Sequence, residues 1–320
     1  MKFALVKQKG YNDLYSCPPA TSDMKLPLQS KFRTGPAALF IRHDTDFYIT
    51  NDTSPFDSLL GVDHNEEAAQ LNSEYAINSE DVDWSMYDCV ITTDIAVKPE
   101  TVKKYPDVLW AYYLTDPSRM PEIVGYDKPI DGYDIHLNLN ISTKPSNGCH
   151  FEINFPYLLH YFGCFRDIGV SIRRSNIFTS YYTSHHDRQY LLDQGISKDL
   201  KGFVHRKGDG DIMNVIVNLS KSKYFIKYGP RGVWGNATIE AIACGCLAFS
   251  QRLGNGASDL VGENCLTDDY DELIYKVKHF EENDKLYEEQ LEIQRYALDE
   301  FCYHTPMETL TRKILEKQNG

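Results

Sequence analysis

The sequence predicts an α/β protein with two doubly wound parallel-sheet domains. Three observations lead to this prediction: a length of 320 residues, an ordinary composition of 42% hydrophobic and 25% charged residues, and short apolar runs that alternate with amphipathic segments. At roughly 100–200 residues per domain, the chain has room for two domains. No apolar run approaches the roughly 20 residues of a membrane-spanning helix, so we expect no transmembrane segment.

The alternation of elements is clearest in the second half of the chain. Apolar runs bounded by turn residues predict strands, and apolar residues three and four positions apart predict helices. We expect strands at 176–180, 202–205, 224–227 and 246–250, and helices at 186–194, 211–219, 236–243 and 270–280. Strands that alternate with helices through short loops form parallel sheets covered by helices on both faces.

The first half shows the same alternation less regularly. We expect strands at 3–6, 37–41, 47–49, 88–92, 108–114 and 135–139, with a short helix that begins at Pro99. Proline suits the first turn of a helix, where its missing N–H has no intrahelical partner. A polar segment around Gly169 separates the halves, so we place the domains at 1–170 and 171–302, followed by an amphipathic helix within 303–320.

Charge and cysteine content restrict the partners and the compartment. The net charge is −13, and much of it comes from residues 268–300, which we interpret as a solvated helical face. A negative surface repels phosphate backbones, which disfavours a nucleic-acid partner. The eight cysteines include no C-x-x-C pair, and the N-terminus lacks the features of a signal peptide. We therefore expect reduced thiols and a cytoplasmic location.

The most informative segment is Ser222–Gly254, which reads as a strand, a glycine-rich loop, a short helix and a second strand. Glycines let the backbone approach a ligand closely, and Asn236 or Thr238 can cap the helix that follows. The first turn of such a helix presents N–H groups and the positive end of the helix dipole, which suit a diphosphate. The loop carries these glycine and proline residues: Gly229, Pro230, Gly232 and Gly235.

Charged side chains surround this loop in the sequence. Lys227 precedes it and Arg231 lies within it, so both can neutralise phosphate charge, and Arg206 after the preceding strand is a further candidate. Glu240 lies one turn inside the predicted helix. Its carboxylate can accept two hydrogen bonds from the vicinal hydroxyls of a ribose, as an acidic residue does in dinucleotide sites.

The run Ile239–Ala248, IEAIACGCLA, resembles the L-E-A-x-A-x-G-x-P-V stretch in the donor-binding domain of GT-B glycosyltransferases. Retaining members carry a second glutamate eight positions earlier, where this chain has Gly232. The spacing of Pro230-Arg231-Gly232, Glu240 and Gly245 is also similar to that of exostosin-like transferases and, more weakly, bacterial fucosyltransferases.

The resemblance implies two Rossmann-like domains facing a cleft. The second domain would bind a UDP- or GDP-sugar as donor substrate, with no metal and no resident cofactor. The first would bind a glycan or another hydroxyl acceptor, and the final helix would pack back on it.

An inverting transferase also needs a general base within reach of the acceptor hydroxyl. We expect the carboxylates of Asp94, Asp116 and Asp44 to follow strands, which places them among the candidates. The pattern Asp44-Thr45-Asp46 permits a second interpretation, because paired carboxylates after a strand hold Mg²⁺ or Mn²⁺ in other transferases.

Three alternatives remain open from the sequence. A nucleotide-sugar epimerase of the same fold would convert the donor without an acceptor. A degenerate binding or scaffolding protein is consistent with glycine at position 232. A phage-type DNA glucosyltransferase shares the GT-B fold, but the net charge of −13 weighs against it.

Overall fold

The structure is a computed structural model. It describes residues 1–9, 43–52, 76–93, 95–113, 132–137, 175–182, 202–206, 218–227, 236–252, 260–300 and 304–320. The chain divides into two compact units, and the statements below concern each unit by itself. The first unit contains Met1–Tyr161 and Cys302–Gly320, and the second contains Phe162–Phe301. The domain boundary predicted at residue 170 lies outside the described residues.

The first unit is built on a six-stranded sheet in which all pairings between described strands are parallel. Its strands are β1 (Lys2–Gln8), β2 (Asp44–Thr50), β3 (Ala76–Ile77), β4 (Cys89–Thr93), β5 (Leu109–Tyr113) and β6 (Ile135–Leu137). The spatial order is β3-β2-β1-β4-β5-β6. This is the strand order of dinucleotide-binding domains, in which the direction of winding reverses between β1 and β4.

The second unit has a five-stranded parallel sheet. Its strands are β7 (Ser175–Tyr182), β8 (Gly202–Arg206), β9 (Ser222–Lys227), β10 (Leu247–Gln251) and β11 (Leu266–Thr267), in the order β11-β10-β9-β7-β8. When the five strands are numbered along the chain within this unit alone, their order is that of flavodoxin-like domains. The winding reverses between β7 and β9. Both sheets confirm the doubly wound α/β prediction. The strand predicted at 37–41 lies outside the described residues.

Helical residues occur at 218–221 and 260–261, and five further helices are described over their full length. They are α1 (Pro99–Val102), α2 (Asn236–Ala243), α3 (Tyr270–Glu281), α4 (Asp284–Asp299) and α5 (Thr305–Asn319). The side chains of Asp269 and Asn283 accept hydrogen bonds from the backbone at the starts of α3 and α4, so both helices begin at classical N-cap residues. None of the helices in the described ranges is long and apolar enough to cross a bilayer.

A cluster of aromatic rings forms the centre of the first unit. Trp84 lies in a 3-10 turn and contacts the rings of Tyr48 and Trp110, with ring centroids 5.2 and 5.7 Å apart. Trp110 in turn contacts Tyr133, which packs edge-on against Tyr112. Edge-to-face pairs add to the free energy gained by burying these large side chains, so the cluster ties β2, β5 and the segment before β6 together.

A glutamine side chain connects α4 to the sheet of the second unit. The amide of Gln294 accepts a hydrogen bond from Ala248 N (2.9 Å) and donates to Ala248 O (2.8 Å) and to Val261 O (2.8 Å). Ala248 lies in β10 before the two residues of that strand that pair with β11. The Gln294 side chain therefore hydrogen-bonds to the backbone groups of Ala248, because β10 pairs with β11 only from Ser250 onward.

The final helix packs against the first unit. Lys317 on α5 forms an ion pair with Asp134 (2.6 Å), and Gln318 donates to Asp88 (2.8 Å). Asp134 also accepts a hydrogen bond from Trp110 N (2.9 Å). Leu310 and Ile314 are buried on the inner face of this helix, and Leu315 is exposed on its outer face.

We predict that Leu310→Ala lowers the free energy of unfolding of the first unit by about 2–5 kcal/mol, because a large-to-small change leaves a cavity. Leu310 is 0% exposed, whereas Leu315 on the same helix is 51% exposed. Leu315→Ala is therefore the matched control, with an expected change below about 0.5 kcal/mol. Equal losses in chemical denaturation would contradict the packing of α5.

We predict that Gln294→Leu destabilises the second unit by about 3 kcal/mol, because the buried backbone N–H and C=O groups of Ala248 both lose their side-chain partner. The control is Glu288→Leu, an exposed position on the same helix. Thermal unfolding followed by circular dichroism measures both changes. A Gln294→Leu protein as stable as the control would show that the side-chain bonds carry little of the stability.

Candidate functional site

The carboxyl edge of the second sheet gathers the basic residues that the sequence singles out. Arg206 is the last residue of β8 and Lys227 is the last residue of β9, and β7 lies between these two strands. Since all pairings are parallel, both residues lie at the same edge of the sheet. Two strand spacings separate their backbones by about 10 Å. This edge includes the end of β7, where the winding of the sheet reverses.

The first turn of α2 lies toward the same edge. β9 ends at Lys227, and α2 spans Asn236–Ala243 before the chain enters β10 at Leu247. Gly245, with φ of 87°, ends the helix, and its N–H bonds to Ile242 O. A left-handed residue just beyond a helix is a position that glycine tolerates best. The helix therefore runs back from the carboxyl edge to the start of β10, as the sequence predicts.

Two of the predicted donor-binding side chains are buried on α2. Thr238 is in its first turn, and Glu240 follows one turn into the helix with 2% of its surface exposed. Ala241 and Ile242, the next two residues of α2, are also buried. Burying a carboxylate costs free energy unless polar groups meet it, so a buried glutamate near a ligand-binding edge indicates a specific role.

The remaining donor-site candidates are only partly described. Asn236 begins α2, but the placement of its side chain is not described, and the same holds for Arg206. Arg231 and Gly235 lie outside the described residues. The structure thus brings Lys227, Arg206 and the start of α2 to one edge of the sheet. The role of the loop between β9 and α2 in donor binding stays a prediction.

The first sheet has its own reversal point, at the carboxyl ends of β1 and β4. These strands end at Gln8 and Thr93, which are on neighbouring strands of the sheet. In open α/β sheets, ligands bind at such a point. Asp94 follows Thr93 directly in the chain, whereas Asp116 is three residues beyond the end of β5. Both aspartates lie outside the described residues, so their catalytic roles stay predictions.

The position expected for Asp44 is wrong. The sequence suggests that it follows a strand, but it is the first residue of β2, which places it at the amino edge of a parallel sheet. Ligands of such sheets bind at the opposite, carboxyl edge, because the loops there lead into helix N-termini. We therefore assign no catalytic role to Asp44.

The second carboxylate of the same pattern has a structural role. Asp46 accepts a hydrogen bond from the Tyr87 hydroxyl (2.7 Å) and pairs with Lys2 (3.3 Å). The Tyr87 hydroxyl is also hydrogen-bonded to that of Tyr48 (2.5 Å). Burial raises the pKa of Tyr87 well above its usual value, and the bonds to Tyr48 and Asp46 raise it further. The tyrosine therefore stays protonated and donates to the carboxylate, so Asp46 joins β2 to Lys2 on β1 and to the turn before β4.

Sequence reasoning missed the contacts of the segment Ile95–Lys98, which we call the β4 exit segment. It connects β4 to α1 as neither helix nor strand, and its first three residues are buried. Side chains from four other positions hydrogen-bond to its backbone: Gln8, Thr50, Asp52 and Tyr133. The only signal in the sequence is that Gln8 and Thr50 are polar residues that end apolar strands.

Comparison with known proteins gives a clear structural result. The sequence matches no known family model and no curated protein. An alpha-glucosyltransferase in complex with UDP and a 13-mer DNA aligns with a TM-score of 0.55 at 12% identity, over 98% of this chain and 100% of that chain. Sucrose-phosphate synthase from Thermosynechococcus elongatus aligns with a TM-score of 0.52 at 12% identity, over 98% and 99% of the two chains.

These alignments cover both units and, together with the two strand orders, define the class of fold. The chain has the two-domain Rossmann-like fold of the GT-B glycosyltransferases. The fold predicted from the resemblance at Ile239–Ala248 is therefore confirmed.

Proposed function

We propose that the protein is a glycosyltransferase that moves a sugar from a nucleoside-diphosphate donor to a hydroxyl group of an acceptor. One observation carries the proposal: Lys227 and the first turn of α2 lie at the carboxyl edge of a doubly wound sheet, beside its reversal point. Neighbours of the same fold support it, because the alpha-glucosyltransferase was solved with UDP. The donor is a UDP- or GDP-sugar.

The diphosphate of the donor binds at the start of α2. The ammonium group of Lys227 and the guanidinium groups of Arg206 and Arg231 supply positive charge, and the backbone N–H groups near Gly235 and Asn236 supply hydrogen bonds. The same groups stabilise the negative charge that develops on the diphosphate as it leaves. In this proposal the transfer therefore needs neither a metal ion nor a resident cofactor.

The ribose of the donor is held by Glu240. Its carboxylate accepts hydrogen bonds from the two vicinal hydroxyls, and these bonds offset part of the cost of burying the charge. In this proposal Asn236 or Thr238 satisfies N–H groups of the first turn of α2, which lies beside the phosphates. Burial of Glu240 to 2% exposure supports this assignment, since a purely solvated helix residue has no reason to be buried.

The first unit supplies the general base, for which Asp94 is the best candidate because it follows β4 at the reversal point. The Asp94 carboxylate takes the proton of the acceptor hydroxyl, and the acceptor oxygen bonds to the anomeric carbon of the sugar. The bond from that carbon to the diphosphate oxygen breaks, and its electron pair leaves with the nucleoside diphosphate. Asp116 is the second candidate for the same step.

We predict that UDP or GDP raises the melting temperature of the protein by several degrees, with and without Mg²⁺. A ligand at about 100 times its dissociation constant adds roughly 2.7 kcal/mol to the free energy of unfolding. Each kcal/mol raises the melting temperature of a domain of this size by about 2–4 °C. Glu240→Ala is expected to abolish the shift, and the exposed control Glu288→Ala to keep it. A panel with UDP, GDP, CDP, dTDP and ADP measures this by thermal shift.

The panel has two outcomes that oppose the proposal. A shift that appears only with Mg²⁺ would contradict metal independence. No shift with any nucleotide would contradict the donor site and favour the degenerate binding protein. A donor converted to its epimer without an acceptor would instead identify the epimerase.

We predict that Asp94→Asn lowers the turnover of the bound donor sugar at least 100-fold, because loss of a general base typically costs 10²–10⁴-fold in rate. The asparagine keeps the size of the side chain but cannot take a proton at neutral pH, so the nucleotide-induced melting shift is expected to be unchanged. Asp116→Asn is the comparison. If only Asp116→Asn loses turnover, the base is Asp116.

A further inference from the structure

The β4 exit segment is bound at four consecutive residues. Gln8 Nε2 donates to Ile95 O (3.2 Å), and Thr50 Oγ1 donates to Ala96 O (2.7 Å). The Tyr133 hydroxyl donates to Val97 O (2.7 Å), and Asp52 Oδ2 accepts from Lys98 N (3.0 Å). Each residue of the segment thus has one backbone group tied to a side chain from elsewhere in the first unit.

These four side chains come from both sides of β4. Gln8 and Thr50 are the last residues of β1 and β2, and Asp52 is just beyond β2. Tyr133 lies before β6, on the other side of β4 in the strand order. Because the segment is anchored to the sheet from two opposite directions, it cannot slide toward either edge without breaking hydrogen bonds.

The anchoring side chains are themselves held. Asp52 also accepts hydrogen bonds from the backbone N–H (3.3 Å) and the hydroxyl of Ser79. The Tyr133 hydroxyl accepts a weaker bond from Thr92 (3.4 Å), and its ring packs against Trp110 and Tyr112. The four anchors are at most 6% exposed, so water does not compete for these bonds.

We propose that Gln8, Thr50, Asp52 and Tyr133 are positioning residues that fix the chain immediately beyond Asp94 and so set the place of its carboxylate. This inference rests on the proposed role of Asp94 as the general base. That residue lies between Thr93, the last residue of β4, and Ile95, the first residue of the anchored segment. Both of its chain neighbours are therefore held by the sheet.

The rate of catalysis depends more strongly on the position of the general base than the stability of the fold does. A general base must approach the acceptor hydroxyl to about 2.6–3.2 Å. A displacement of about 1 Å at a reacting group can cost 10²-fold in rate. Loss of one anchor is therefore expected to lower turnover about 10-fold or more while donor binding, which belongs to the second unit, is unchanged.

The test uses the full chain and two anchor variants, Tyr133→Phe and Thr50→Val, each of which removes one hydroxyl. The matched control is Tyr105→Phe, because Tyr105 also donates from its hydroxyl to a backbone carbonyl of the first unit, Val82 O (3.1 Å), away from the exit segment. Thr50→Ser keeps the hydroxyl and is expected to rescue the loss. UDP-glucose and GDP-glucose are the probes, and release of UDP or GDP to water as acceptor is measured at saturating donor.

We expect Tyr133→Phe and Thr50→Val to lose about 10-fold in kcat, with KM for the donor and the UDP- or GDP-induced melting shift unchanged. Tyr105→Phe and Thr50→Ser are expected to stay within about twofold of the unaltered protein, since neither removes a bond to the segment. In the Asp94→Asn background, Tyr133→Phe is expected to cause no further loss, because residues that act through one group are not additive.

The outcomes separate this inference from the proposed function. If Asp94→Asn loses turnover but the anchor variants do not, positioning is wrong and the general base stands. If Tyr133→Phe lowers kcat equally with and without Asp94→Asn, its effect does not pass through Asp94, and positioning is again wrong. If Asp94→Asn is fully active, or the unaltered protein releases no nucleotide from either donor, the proposed catalytic role and this inference fall together.

Discussion

Parallel strand pairing is the constraint on which the rest of this protein depends. In a parallel sheet the carboxyl ends of all strands meet at one edge, and a reversal of winding leaves a gap between the loops at one place on that edge. Each unit has one such reversal among its described strands, between β1 and β4 and between β7 and β9. The assignments of Lys227 and Asp94 depend on these two places, because Lys227 ends β9 and Asp94 follows β4 in the chain.

Parallel sheets also create a problem that this chain solves with side chains. Loops and helix ends at the sheet edges carry buried backbone groups, which cost free energy unless they are hydrogen-bonded. Gln294 hydrogen-bonds to the backbone N–H and C=O groups of Ala248, where β10 has no pairing with β11. Gln8, Thr50, Asp52 and Tyr133 do the same for the β4 exit segment. In the second case the satisfied segment borders the candidate base, so a folding requirement and a catalytic requirement coincide.

Basic residues end two strands at the candidate donor site, although the whole molecule is acidic. The chain carries a net charge of −13, and α3 and α4 contribute many of its acidic residues. Lys227 and Arg206 nevertheless end β9 and β8, the two strands that flank β7, at the carboxyl edge. Basic residues at such an edge suit a small anionic ligand held at short range.

The sequence by itself determined most elements and the fold class. Apolar periodicity and turn residues predicted nearly all of the described strands, and α2 was predicted with the bounds that the structure has, because strand and helix patterns are local. The two-residue strands β3 and β11 were missed, since so short a run has no period. The sequence singles out Glu240 and Lys227 as candidates because glycine-rich loops after strands have a local signature.

Only the tertiary structure decided which residues share an edge. Asp44 looked like a strand-end residue, but the strand begins at Asp44, and its direction sends the residue to the edge opposite the ligand side. Gln8, Thr50 and Tyr133 are separated by up to 125 positions and meet only on the β4 exit segment. No local pattern encodes such contacts, because strand order and hydrogen bonds between distant residues depend on how the whole sheet assembles.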